Sequence, residues 1–341
     1  MATYLGTHGS RIQNYTTDPD NPNTGEVWYN DTSNALKFQY PAVTTVGSWR
    51  TAADMVSGAT SGRGHGTQGT QTAALAVGGN QPGGQITNTE TYNGVAWAEV
   101  NNLNTARTNI TTLGTNTATI AAGGAPPAIA NTELWNGTNW TEVNAMNTAK
   151  GTGSGAGDAS NGLAFGGTPS PTAANTEVWN GTNWTEVNNL NSGRYSLGGA
   201  GTSTDAIGFA GSPEPSGVAI TEKWNGTNWT EVNDLNTART YIGSAGISTA
   251  ALGFGGLVGA SYKAETEQYN GTNWTEVNNL NTGRFDTAGA GTTSAGLAYG
   301  GSIPGGKYAA SEEWTGAGAP VGVWATVNGV NTARQGSMGS S

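Results

Sequence analysis

Apolar residues in this chain fall into short runs separated by Gly, Asn and Thr, and helix signals are nearly absent. From Gly58 onward four strand signals return in a fixed order. The first is a strand of small residues, as in Tyr195-Ser196-Leu197-Gly198-Gly199-Ala200-Gly201. A short apolar run ending in paired glycines follows, as in Leu163-Ala164-Phe165-Gly166-Gly167 and Leu297-Ala298-Tyr299-Gly300-Gly301. The third places an aromatic two residues after a Glu, as in Thr176-Glu177-Val178-Trp179, and the fourth begins at a tryptophan. Asn180-Gly181 joins the third signal to the fourth, and Asn-Gly is a strong hairpin signal because both residues tolerate positive φ.

The fourth strand carries a nearly constant word, Asn136-Gly137-Thr138-Asn139-Trp140-Thr141-Glu142-Val143-Asn144 in one copy. Its anchor tryptophans are Trp49, Trp97, Trp140, Trp184, Trp229, Trp274 and Trp324, separated by 48, 43, 44, 45, 45 and 50 residues. That period is the length of a propeller blade. In a radial blade the first strand lies nearest the axis, where Gly, Ala and Ser let neighbouring backbones approach closely. The expected fold is therefore an all-β propeller of seven four-stranded blades. Its last blade would be assembled from residues 26–57 and an innermost strand at 334–341. Six blades plus a separate N-terminal hairpin is the alternative. Residues 1–25, dense in breakers at Asp18-Pro19-Asp20-Asn21-Pro22, read as an extended lead-in suited to attachment, and 26–341 as one propeller domain.

Composition modifies this picture in two places. With 55 Gly and 11% charged residues the chain has a disordered flavour, but 12 Trp held at regular spacing argue for a packed core. A net charge of −10 is the wrong sign for a phosphate-binding surface, so nucleic acid is not an expected partner. There is no Cys for disulfide or thiol chemistry, and no window reads as a signal peptide or a membrane span.

Paired glycines, an aromatic after Glu, then Trp and a basic residue ten positions later resemble a kelch repeat over roughly 58–334. Ala210-Gly211 departs from the glycine pair, and Asn-rich segments stand where the family has proline. Residues Arg11 to Tyr15, Gly25 to Asn30 and Leu36-Lys37 are similar to the start of tail-fibre and other structural proteins of bacteriophages. Kelch-like chains of this composition with such a start are similar to virion proteins of marine phages. The resemblance implies a virion location and other virion proteins as partners, with host-surface glycans or a receptor as a contact. An extracellular lectin-like propeller is the alternative.

Candidate chemistry is sparse. Arg107, Lys150, Arg194, Arg239, Arg284 and Arg334 occupy the position ten after the tryptophan, and Glu99, Glu142, Glu186, Glu231 and Glu276 the position two after it. A second acidic column, Glu90, Glu133, Glu177, Glu222, Glu267 and Glu312, precedes the third-strand aromatic. A reaction needs one asymmetric site, whereas these columns recur in every blade. We therefore read them as structural inter-blade pairs, with no catalytic residue, cofactor or metal expected. His8 and His65 have no metal-ligand neighbours in sequence, and Asp18, Asp20 and Asn21 lack the later acidic ligand of a calcium loop. The copies differ most at 80–88, 125–131, 168–175, 212–220, 257–264 and 302–310, loops that emerge on one face of a propeller. Within them Tyr262, Lys263, Lys307 and Tyr308 are the candidate binding residues.

Overall fold

The computed structural model describes residues 13–15, 27–32, 35–43, 47–58, 61–62, 64, 69–169, 172–213, 217–316 and 320–326. They divide into two compact units, 1–45 with 318–341 and 46–317. The larger unit is a six-bladed β-propeller, each blade a four-stranded antiparallel sheet. Blade 2 shows the pattern: Thr111–Gly114, Thr119–Ala122, Thr132–Trp135 and Trp140–Val143, from the axis outward. Blades 1, 3, 4 and 5 repeat it over 69–100, 154–187, 198–232 and 243–277. Apart from a 3₁₀ turn at Thr172–Ala174, the described residues contain no helix.

Burial follows strand position. The second strands are buried along all or all but the first residue of their length, as in Gly162–Phe165, because both faces meet neighbouring blades. Outer strands bury their tryptophan and expose the following Thr and Glu. The Asn-Gly turns work as anticipated: Asn136 Oδ1 accepts from the main-chain N–H of Thr138 and Asn139, and Gly137 has φ +92°. At the inner end of each blade, Gly69, Gly114, Gly157, Gly201, Gly246 and Gly291 all have φ between +94° and +129°. A Cβ on Gly114 would lie 2.1 Å from the carbonyl oxygen of Ala118, so this column admits only glycine.

A complete circuit of six hydrogen bonds and a run of five more tie the blades together. Each anchor indole donates to a third-strand hydroxyl of the preceding blade: Trp140 to Thr89, Trp184 to Thr132, Trp229 to Thr176 and Trp274 to Thr221. Trp97 to Ser311 and Trp49 to Thr266 complete the set of six. Near the axis, main-chain N–H groups donate to the linker of the preceding blade: Asn109 to Gly62, Thr152 to Asn109, Ser196 to Thr152, Tyr241 to Ser196 and Asp286 to Tyr241. All six residues are left-handed, with φ from +53° to +59°.

The expectation of seven blades is corrected to its six-blade alternative. The sixth blade comprises Ala288–Gly291, Ala295–Tyr299, Ser311–Thr315 and, as its outer strand, Ser48–Ala52 from the other end of the propeller, with Trp49 opposite Trp314. Two copies of the anchor, Trp49 and Trp324, competed for this one place. Using the early copy joins the first and last blades through a shared sheet, which protects the edge at which the ring closes. The seam also has contacts of its own. Tyr92 donates to Glu313 (2.7 Å), Arg50 pairs with the same carboxylate, and Tyr299 donates to the Leu75 carbonyl. Burial, then Glu313, push the Tyr92 phenol well above its ordinary value.

The smaller unit contains a four-stranded sheet. Val27–Asn30 pairs antiparallel with Ala35–Val43, the expected hairpin, and parallel with Gln13–Tyr15. Ala35–Val43 also pairs with Pro320–Thr326, so Trp324 lies opposite Gln39. Residues 334–341, assigned above to the closing blade, lie outside the described residues, as do His8, His65, Asp18, Asp20, Asn21 and Arg334.

Candidate functional site

The linkers that carry the chain from one blade to the next share a face with the variable loops. Bridges join Thr108 to Ala125, Gly151 to Thr168, Tyr195 to Ser212, Thr240 to Leu257 and Phe285 to Ser302. Beneath this face lie the basic residues of the linkers. Arg107 donates to Glu133 (2.8 Å) and to the carbonyls of Gly123, Asn131 and Ala121 in the next blade. Arg239 pairs with Glu267 and Arg284 with Glu312, both at 2.8 Å, and Arg194 pairs with Glu222. Burial lowers each guanidinium from its ordinary value, and the partnering glutamate acts against it.

The acidic partner is the third-strand column. Glu142, Glu186, Glu231 and Glu276 are exposed on outer strands and act on the buried cations only through space. Glu142 instead accepts from the Asn131 amide at 3.1 Å.

Lys150 is the weak member of the column. It stands 3.7 Å from Glu177 and donates to the Asn175 carbonyl, where Arg107 makes four hydrogen bonds. Burial lowers its ammonium from 10.5 to about 8, with Glu177 opposing. The folded protein therefore releases this proton at lower pH than the unfolded chain. The burial penalty is present in full below pH 8 and is relieved as pH rises toward 10.5, by about 3 kcal/mol at most. Lys150→Arg should stabilise the protein by about 1–2 kcal/mol at neutral pH, because a guanidinium reaches more of the available carbonyls. Urea denaturation across that window should show the advantage shrinking as pH rises; a constant difference would mean that Lys150 does not titrate there.

Above this layer the face is uneven. Blades 1, 5 and 6, consecutive around the ring, carry small hairpins at Asn80–Gln81/Gly84–Gln85, Leu257–Val258/Ser261–Tyr262 and Ser302–Ile303/Gly306–Lys307. The Phe285 ring lies 5.2 Å from Tyr262 and 5.6 Å from Tyr241, edge-to-face in both cases. Tyr262 is 36% exposed, and Tyr241 and Phe285 are partly exposed. Tyr308 stacks under the Arg284 guanidinium at 5.4 Å, so consecutive linker residues connect it to Tyr262. Lys263 Nζ sits 3.2 Å from Glu265. Lys307 Nζ donates to the Gln81 carbonyl at 2.7 Å; burial lowers its ammonium and Asp286 opposes this.

Tyr262 and Tyr308 thus each pack on one of two consecutive linker residues, while both lysines are engaged within the protein. Tyr241 and Phe285 escaped the sequence reading because they lie in linkers, outside the loops that vary most. The available signal was an aromatic one or two residues after the basic residue: Tyr195 and Phe285 stand where other copies have Thr108 and Gly151, and Tyr241 where they have Asn109 and Thr152. The result is a platform for stacking with polar groups beside it, a combination typical of ligand sites. At the opposite mouth of the axis a cavity of about 230 Å³ is lined mainly by the glycine column and neighbouring alanines, with Thr115, Asp158 and Ile247 at its edge. Among the described residues, no three His, Cys, Asp or Glu side chains gather as a metal site would require. In comparisons with known proteins, no family model and no curated protein matches the chain.

Proposed function

We propose that this chain is a non-enzymatic adhesive propeller of a bacteriophage particle, a tail-fibre or virion-decoration protein whose uneven face contacts the host surface, glycans included. The observation that carries the adhesive part is the aromatic arc Tyr241–Phe285–Tyr262 on an otherwise repetitive ring. Recognition of one partner needs asymmetry, since each contact must meet a distinct group. The arc supplies it on the face where the loops diverge. The particle part rests on the kelch-like repeat and on the resemblance of Arg11 to Tyr15, Gly25 to Asn30 and Leu36-Lys37 to phage structural proteins. The glutamates a hydrolase would need are repeated, and Glu133, Glu177, Glu222, Glu267 and Glu312 are each engaged by a basic residue. That occupation supports a binding role over a catalytic one.

Mass spectrometry of purified particles should find the protein at stoichiometric abundance, and the recombinant chain should bind host cells. Tyr262→Ala should weaken cell binding with little change in melting temperature, whereas deleting residues 1–25 should impair incorporation into particles. Absence from particles would leave the free-standing lectin-like reading, which the same arc supports. Cell binding that survived Tyr262→Ala but vanished without residues 1–25 would move the contact to the lead-in.

A further inference from the structure

The arc has a chemical character that narrows what it would hold. Tyr241 stands at φ +54°, a conformation uncommon for a bulky residue, and the corresponding position in other blades is Gly62, Asn109, Thr152, Ser196 or Asp286. A tyrosine there costs backbone energy, and such strain recurs where a side chain must be presented at a fixed place. Two hydroxyls flank it. Thr240 precedes it in the chain, and Ser196 accepts its main-chain N–H at 2.9 Å. Ser196 Oγ and Thr240 Oγ1 are both buried with no hydrogen-bond partner among the described residues. Buried hydroxyls are normally satisfied, so these have capacity for an ordered water beneath the arc.

The charges around the arc are compensated. Lys263 is held by Glu265, Arg284 by Glu312, and Lys307 faces Asp286 while donating to Gln81. No basic group in this set is left to meet an anion, and the chain as a whole carries −10. An acidic ligand would be repelled over the whole approach. A purely apolar ligand would cover the two partly exposed tyrosines without serving their phenol hydroxyls. A sugar ring satisfies both conditions, with a C–H face to lie on an aromatic and a rim of hydroxyls that donate and accept. We propose that Tyr241, Phe285 and Tyr262 form a subsite for an uncharged saccharide; this deepens, and rests on, the adhesive reading above.

The test is saturation-transfer NMR on the full chain. The probes are a panel of neutral gluco-, galacto- and manno-configured oligosaccharides, with glucuronate- and sialate-bearing counterparts. At least one neutral member should receive saturation, and its acidic counterpart should not. Tyr262→Ala should weaken that binding about tenfold. Tyr241→Asn should weaken it about as much while leaving the melting temperature unchanged or higher, because asparagine accepts the left-handed backbone, as Asn109 does in blade 2. Ile247→Ser, at the opposite mouth, should bind as the parent does. Failure of every neutral probe with a folded parent, preference for the acidic probes, or binding that survives both tyrosine changes would overturn the proposal. A chain found on particles that binds cells yet ignores neutral saccharides would defeat this inference alone. Neutral-sugar binding by a chain absent from particles would defeat the particle assignment alone.

Discussion

Replacing Arg194 with alanine is expected to destabilise the propeller by about 3–5 kcal/mol, because it leaves a carboxylate buried without its cation. Arg194 and Glu222 are both completely buried. The guanidinium also donates to the carbonyls of Ser192, Ala210 and Gly208 at 2.8–3.0 Å. Glu222 in turn accepts from the main-chain N–H of Asn191 (2.7 Å) and from its side-chain amide (2.9 Å). Removing the cation therefore strands one charge and three carbonyls, while the linker loses its grip on the next blade. Glu222→Gln should cost less, since an amide oxygen still accepts from Asn191, although its NH2 then faces Arg194 and that hydrogen bond goes with the charge. Urea denaturation of the two single variants and the double would measure their coupling. Additive losses, or a loss below 1 kcal/mol for Arg194→Ala, would mean that the pair does not bind blade to blade.

The same pair shows what was legible in the sequence. The basic column and both acidic columns stand out from the repeat, and their structural character follows from recurrence alone. The exact partner does not. Glu133 lies directly opposite Glu142 in register, as Glu177 does Glu186, Glu222 does Glu231 and Glu267 does Glu276. One strand separates a buried carboxylate from an exposed one, and only the depth of the blade decides which the cation reaches. Blade composition and hairpin turns were legible for the opposite reason: they depend on residues close in sequence. Closure and the aromatic arc are long-range. Phe285 and Tyr262 are 23 positions apart, and Tyr241 sits in another linker; no local pattern marks them as neighbours. The anchor spacings of 48 and 50 at the two ends, against 43–45 between, were the one trace of irregular closure.

Closure carries the other large effect, and it separates two truncations that differ by only seven residues. Deleting residues 1–45 should leave the propeller able to close, because Ser48–Ala52 is retained. Deleting 1–52 should abolish cooperative unfolding or drive the chain to aggregate. The longer truncation uncovers the hydrogen-bonding edge of Ser311–Thr315, an invitation to pair with another chain. It also removes Trp49, whose ring lies 5.1 Å from Phe254 and 5.4 Å from Trp314 and whose indole donates to Thr266. Loss of a buried tryptophan alone costs about 3–5 kcal/mol, a large share of the roughly 5–15 kcal/mol available to a folded domain. Glu313 would meanwhile lose Arg50, keeping only Tyr92 of the two partners that join it across the seam. The defect should be repaired by moving the strand: residues 46–58 appended after Gly316 through a flexible linker should restore a cooperative transition to the 1–52 deletion. Light scattering and thermal melts of the three chains decide the matter. If the 1–52 deletion melts like the 1–45 deletion, the early strand is not the clasp; if the appended copy fails to rescue, closure depends on more than this sheet.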